Sequence, residues 1–178
     1  FAQNNLFRDT SLQVSENNIA FKHAWAGGLN AAQFNEIDLD LDGVKDLVVF
    51  DRSGNKLIPF LNKNNKFIYA PNFKSKFPKI KDWVIFADYD CDGKNDIFSY
   101  STSGISIYKN TSSSSLDFTL ETPLVFSQYP VGSVNIFVSP VDIPAISDID
   151  GDGDLDVLTF KITGGFIEFH KNMSIELT

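Results

Sequence analysis

The chain has 178 residues and a net charge of −8, with 43% of residues hydrophobic and 21% charged. That is enough apolar material for one core and too much for a disordered chain, while a single cysteine excludes an internal disulfide framework. Thirteen of the 23 acidic residues lie in three stretches, 38–46, 88–96 and 148–156, so the rest of the surface is slightly basic and no nucleic-acid partner is indicated.

No run reaches 18 apolar residues, so no span of a membrane is predicted. The opening FAQNN is compatible with the tail of a cleaved signal peptide, a small residue standing before Gln3. Residues 17–28 (NNIAFKHAWAGG) look strand-like. Strands are then predicted at NEIDLD from Asn35, DLVVF from Asp46 and the run after Gly54, with a fourth plausible in KFIYAPNF (66–73). The second series is VIFADYD (84–90), DIFSY (96–100) and ISIYKN (105–110), with a fourth plausible in ETPLVFSQ (121–128). Between them NTSSSSLD (110–117) reads as a polar surface loop. The third series is IPAISDID (143–150), DVLTF (156–160) and GFIEFHKN (165–172), and nowhere is there convincing helical periodicity.

These series are copies of one repeat. Stacked on Asp38, Asp88 and Asp148, each has an aromatic twelve residues on (Phe50, Tyr100, Phe160) and a glycine at sixteen (Gly54, Gly104, Gly164). Each also has an aliphatic residue at nineteen (Leu57, Ile107, Ile167) and closes on an asparagine (Asn62, Asn110, Asn172). Four short strands per 50–60 residues is the pattern of a β-propeller blade. The expected fold is all-β, with blades of four antiparallel strands and about three blades present. One propeller domain is divided into an N-terminal segment (1–30), which is expected to lend an outer strand to a blade, and blades at 31–80, 81–140 and 141–178. Three blades fall short of the four to eight that close a ring, and the third stops before its fourth strand. The chain is therefore expected to be part of a longer protein, or to be completed by blades supplied from elsewhere.

Each repeat opens with an acidic loop. Counting from its first aspartate, positions 1, 3, 5 and 9 are Asp38, Asp40, Asp42 and Asp46, then Asp88, Asp90, Asp92 and Asp96, then Asp148, Asp150, Asp152 and Asp156. Position 6 is Gly43, Gly93 or Gly153, supplying the positive φ of a tight curl. Alternating carboxylates on a curled backbone suit calcium, a hard cation that takes six to eight oxygens. The carbonyls of Val44, Lys94 and Asp154 at position 7 are expected to complete three calcium sites. Zinc would require histidine or cysteine, and Cys91 at position 4 is expected to face away. An EF-hand requires a glutamate at position 12, where this chain has Val49, Ser99 or Thr159, and flanking helices in place of strands. An Asp-rich solvated turn explains one such loop better than three of identical spacing.

The motif D-x-D-x-D-G-x-x-D-[LIV] within a strand-rich repeat resembles the FG-GAP/VCBS family of integrin-α-like calcium-binding β-propellers, over about residues 31–178. The opening blade looks like that of large secreted Bacteroidetes proteins, often exported by type IX secretion. The resemblance implies loops joining the first two strands of each blade, structural calcium, and a secreted or cell-surface location. It further implies a binding or adhesion scaffold rather than an enzyme, with a protein or glycan ligand. Its other partners would be further blades or domains and the secretion machinery. The alternatives are the propeller part of a polysaccharide-acting enzyme, or an export cargo or spacer module.

Elsewhere, His23 and His170 read as half-buried strand residues, and Trp25 and Trp83 as core packing. Asn110 and Asn172 open N-x-S sequons, and 66–81 reads as a solvated basic and aromatic connection. Arg8 and Arg52 are too few to clamp a polyanion.

Overall fold

In the computed structural model, which describes residue 9 and residues 11–174, strands form at every β-rich run of the repeat. β1 (Ser15–Glu16) and β2 (Ile19–Ala20) are joined by Asn17 and Asn18, both left-handed, a conformation asparagine tolerates. They pair with each other in a sheet of their own among the described residues. Residues 1–8, which include Arg8, lie outside the described residues.

The first blade is a meander of β3 (Ala32–Ile37), β4 (Asp46–Asp51), β5 (Lys56–Asn62) and β6 (Phe67–Tyr69). The second repeats it with β7 (Val84–Ala87), β8 (Asp96–Ser101), β9 (Gly104–Asn110) and β10 (Phe118–Thr122). A separate hairpin follows, of β11 (Phe126–Tyr129) and β12 (Gly132–Asn135). The third sheet has β13 (Ala145–Ser147), β14 (Asp156–Phe160) and β15 (Ile167–His170). Each acidic loop leaves its blade at the same register, closed by the pairs Ile37↔Asp46, Ala87↔Asp96 and Ser147↔Asp156.

Two sequence expectations are corrected here. The fourth strand of the second blade is Phe118–Thr122, within reach of β9. Most of 121–128 instead runs into the extra hairpin, which explains the 60-residue offset to the third loop. The stretch 66–81 is not a solvated connection. After β6 it makes a short 3-10 helix, Pro71–Lys76, and Phe73, Phe77 and Ile80 pack into the core between the first two blades. The Phe77 ring lies 6.1 Å from Phe86 and 5.3 Å from Phe118. In the third blade the glycine at position sixteen is left-handed (Gly164, φ 72°), and in the first Gly54 ends the 3-10 turn Arg52–Gly54 before the left-handed Asn55. In the second, Thr102 and Ser103 turn the chain, and Gly104 is needed for space: a Cβ there would meet Leu124 at 2.6 Å and the Ile136 carbonyl at 3.0 Å.

Alternation along the strands directs side chains to both faces, and in the middle blade both faces are covered. Val48, Phe50, Leu57, Val84 and Ile97 fill the space between the first and second blades. Trp83, Phe98, Ile105, Ile107 and Val157 fill that between the second and third. Ala26 covers Val49 and Ile58 on the outer face of the first blade, and the His23 ring meets Phe60 edge-on.

The joint between the first two blades is also hydrogen-bonded. The Gln33 amide donates to the Val84 carbonyl and accepts from the Val84 N–H, both at 3.0 Å, imitating a strand neighbour. Asn35 accepts from the Phe86 N–H at 3.1 Å. The joint between the second and third blades is apolar, and beside it opens a cleft of about 710 Å³ lined by Phe98, Ile107, Phe126, Val157 and Phe169.

The β4–β5 turn links all three repeats. Asp51 accepts from the Ser53 hydroxyl and the Ala31 and Asn30 N–H groups, which hold its carboxyl at about pKa 2. Beside it, Arg52 donates to the carbonyls of Asp82 (2.7 Å), Pro140 (3.1 Å) and Val141 (2.8 Å), the segments that lead into the second and third blades. Arg52→Ala is expected to cost about 1–2 kcal/mol in urea unfolding, since three acceptors lose a charged donor. Arg52→Lys should recover little of it, because one ammonium cannot span carbonyls on two segments. Wild-type stability in Arg52→Ala would remove this role.

Candidate metal centres

The three acidic loops share one internal plan, set by aspartates folding back on backbone N–H groups. At position 1, Asp38 accepts from Asp42 N–H (3.1 Å) and Gly43 N–H (2.8 Å), and Asp88 from Asp92 (3.1 Å) and Gly93 (2.9 Å). Asp148 accepts from Gly151 (2.7 Å) and Gly153 (3.1 Å). At position 5, Asp42, Asp92 and Asp152 accept from the N–H of Val44, Lys94 and Asp154. The loop glycines Gly43, Gly93 and Gly153 have φ of 83°, 84° and 101°, as their sequence position requires. Position 4 is left-handed as well, at Leu41 and Cys91 (φ 60° each) and Gly151 (φ 83°). Only Gly151 signals that second inversion in the sequence, since leucine and cysteine rarely adopt it. Cys91 is exposed.

Position 9 does more than close the loop. Asp46, Asp96 and Asp156 are at most 1% exposed. Their Oδ2 atoms accept from the N–H of Leu39 (2.7 Å), Tyr89 (2.7 Å) and Ile149 (3.0 Å) at loop position 2. Their Oδ1 atoms accept from the N–H of Asn62 (2.7 Å), Asn110 (2.6 Å) and Asn172 (2.8 Å) at the far end of the third strand. Each asparagine answers through its amide, which donates to the carbonyl of Lys45, Asn95 or Leu155 at position 8. The repeat-closing asparagine is thus one half of a bracket holding the loop to the sheet. In the sequons the carboxamide oxygens of Asn110 and Asn172 accept from Ser112 and Ser174 N–H, so N-x-S is here a turn.

In each loop three carboxylates converge. One oxygen from each of Asp38, Asp40 and Asp42 lies within 4.8 Å of the others, and the same holds for Asp88, Asp90 and Asp96 and for Asp148, Asp150 and Asp156. Asp46, Asp92 and Asp152 stand outside these tightest groups. Asp154 turns its carboxylate to the Ser174 hydroxyl (2.9 Å), consistent with a position-7 residue that contributes no side chain to the cluster.

Lysines, which the sequence reading passed over, provide a stand-in cation. Lys63 Nζ is 2.7 Å from Asp40 and also contacts Asp42. Lys109 pairs with Asp90, and Lys171 with Asp150 and, at 3.3 Å, Asp152. The signal was a lysine beside each repeat-closing asparagine: after Asn62, before Asn110 and Asn172. Burial raises the carboxyl pKa of Asp46 and Asp96 above its ordinary value, against the lowering pull of the Asn62 and Leu39 N–H groups on Asp46 and of the Asn110 and Tyr89 N–H groups on Asp96. The nearby carboxylates add to the rise, so negative charge is costly here and a cation would relieve it. An all-oxygen donor set that already gathers a positive group fits a hard divalent cation.

The other singled-out residues take structural places. His170 is buried in β15, with Thr159 Oγ1 at 3.3 Å and the Tyr129 ring beside it, and burial lowers its pKa. His23 is exposed and outside any strand, contrary to its reading as a strand residue. Trp83 is fully buried, and the half-buried Trp25 donates its indole N–H to the Leu12 carbonyl at 2.8 Å.

Among known proteins, no curated sequence and no solved structure matches the chain. A family model does: the FG-GAP-like repeat matches residues 38–99 and again, overlapping, 88–159. Each match starts on the first aspartate of an acidic loop and runs through the following blade into the next. Three loops of one plan, set in antiparallel blades at one register, agree with that match, and the chain belongs to the FG-GAP-like repeat family.

Proposed function

We propose that the chain is a calcium-stabilised β-propeller segment that acts outside the cell as a binding or adhesion scaffold. The observation that carries this reading is the threefold recurrence of a loop gathering three carboxylate oxygens within 4.8 Å. Asp38, Asp40, Asp42, Asp46 and the Val44 carbonyl would hold the first ion, with the equivalent residues of the other loops holding two more. Bound calcium would cancel the carboxylate repulsion and tie the first two strands of each blade together. The chain's own contribution is to preset the loop: positions 1 and 5 curl it, and position 9 fixes it to the third strand. Extracellular modules bind calcium at about 10⁻⁴–10⁻³ M, a range that suits a calcium-rich exterior. Family membership favours the same setting, and no helix among the described residues is long and apolar enough to cross a membrane.

Calorimetric titration is expected to show three calcium ions per chain with sub-millimolar to millimolar affinity. A flat titration at several millimolar calcium would overturn the metal reading. A glycan and protein array probed with the calcium-loaded chain tests the scaffold role, which a hydrolysed or cleaved array ligand would replace with an enzymatic one.

A further inference from the structure

We propose that Lys63, Lys109 and Lys171 are tethered cations that occupy the acidic loops in the absence of metal and are displaced when calcium binds, so that they set each loop's calcium affinity. This rests on the calcium reading above. The three ammonium groups sit on Asp40 and Asp42, on Asp90, and on Asp150 and Asp152, carboxylates that would themselves bind the ion. A calcium ion takes these oxygens at about 2.3–2.6 Å and cannot share them with a second positive group at hydrogen-bond distance.

The three lysines arrive from two different sequence positions. Lys63 follows its asparagine, while Lys109 and Lys171 precede theirs. Residues one before and one after a given position on an extended chain project to the same side, opposite to that residue itself. The asparagine N–H is held by the buried position-9 aspartate, so either neighbour brings its side chain to the mouth of the loop. What the repeats share is therefore a positive charge at that place and not a lysine at one alignment position.

The arrangement also allows exchange. The lysine side chains are 34–38% exposed, so an ammonium can swing into water while its stem stays on the strand. The bracket made by Asp46, Asp96 and Asp156 does not involve the lysines and holds the loop in place in both states. A +1 ammonium neutralises part of each cluster and a +2 ion more, so exchange favours calcium once its concentration is high enough.

The test compares the full chain carrying Lys63→Met, Lys109→Met and Lys171→Met with a charge-matched control carrying Lys74→Met, Lys79→Met and Lys161→Met, three exposed lysines outside the loops and their closing asparagines. Calcium affinity is read by calorimetry, and melting in EDTA by calorimetry or fluorescence. The loop variant is expected to bind calcium about fivefold more tightly per loop than the control, the factor that an ion pair near the top of its surface range supplies. It is also expected to melt below the control in EDTA. Equal or weaker calcium binding than the control overturns the exchange while leaving the calcium reading intact. Calcium binding by neither protein overturns both. Should the triple variant fail to fold, the three single variants carry the same comparison, one loop at a time.

Discussion

Asp96→Ala is expected to lower the stability of the metal-free chain by about 3–5 kcal/mol, the largest effect of any single loop substitution. Asp96 is fully buried in the middle blade and accepts from two backbone N–H groups, Tyr89 at 2.7 Å and Asn110 at 2.6 Å. Alanine leaves both donors without an acceptor, at about 1–3 kcal/mol each, in a blade covered on both faces. For a chain of this size each kcal/mol moves the melting temperature by about 2–4 °C, so a fall on the order of 10 °C is expected in EDTA. Asp90→Ala, an exposed member of the same carboxylate cluster that pairs with Lys109, should leave the EDTA melt nearly unchanged and lose calcium affinity instead. The two substitutions thereby separate a residue that builds the fold from one that only faces the ion. Similar EDTA melts for both would mean that position 9 has no structural role of its own.

Removal of calcium should have the other large effect. At free calcium about 100 times the dissociation constant, one independent site contributes ~2.7 kcal/mol, and three contribute roughly 8 kcal/mol. With about 2–4 °C per kcal/mol, EDTA is expected to lower the melting temperature by roughly 15–30 °C relative to saturating calcium. Magnesium should restore little, because it prefers few protein ligands and retained water. The comparison is a pair of thermal melts, one in excess calcium and one in EDTA. Coincident curves would leave the loops as internally hydrogen-bonded turns with lysine counter-ions and no metal function.

The acidic loops were legible in the sequence because the chemistry is local: aspartates at positions 1, 3, 5 and 9 and a glycine at 6 lie within nine residues. The blades were legible because the same spacing of aromatic, glycine and asparagine recurs three times. What escaped was long-range. Lys63, Lys109 and Lys171 stand 21 to 25 residues beyond the first aspartate and on either side of the asparagine, so stacking the repeats on their aspartates hides them. The second role of position 9 depends on a partner across the sheet, which spacing alone does not reveal. The β11–β12 hairpin has no counterpart in the first repeat to align with. In 66–81 the frequent lysines concealed Phe73, Phe77 and Ile80, whose burial depends on the neighbouring blade. Arg52 looked unremarkable because its three acceptors lie about 30 and 90 residues away.

The unequal joints between the blades have a mechanical consequence. Gln33 and Asn35 fasten the first blade to the second through hydrogen bonds that must shear together, as rungs of a ladder do. The second and third blades meet through oily side chains beside an open cleft, a contact that can be peeled apart one residue at a time. Under tension the chain would yield first at that seam, while Arg52 keeps the Pro140–Val141 segment tied to the first blade and the Val138 N–H keeps it tied to Ser103 of the second. Give is thus built in at one seam of the sheet stack and withheld at the other.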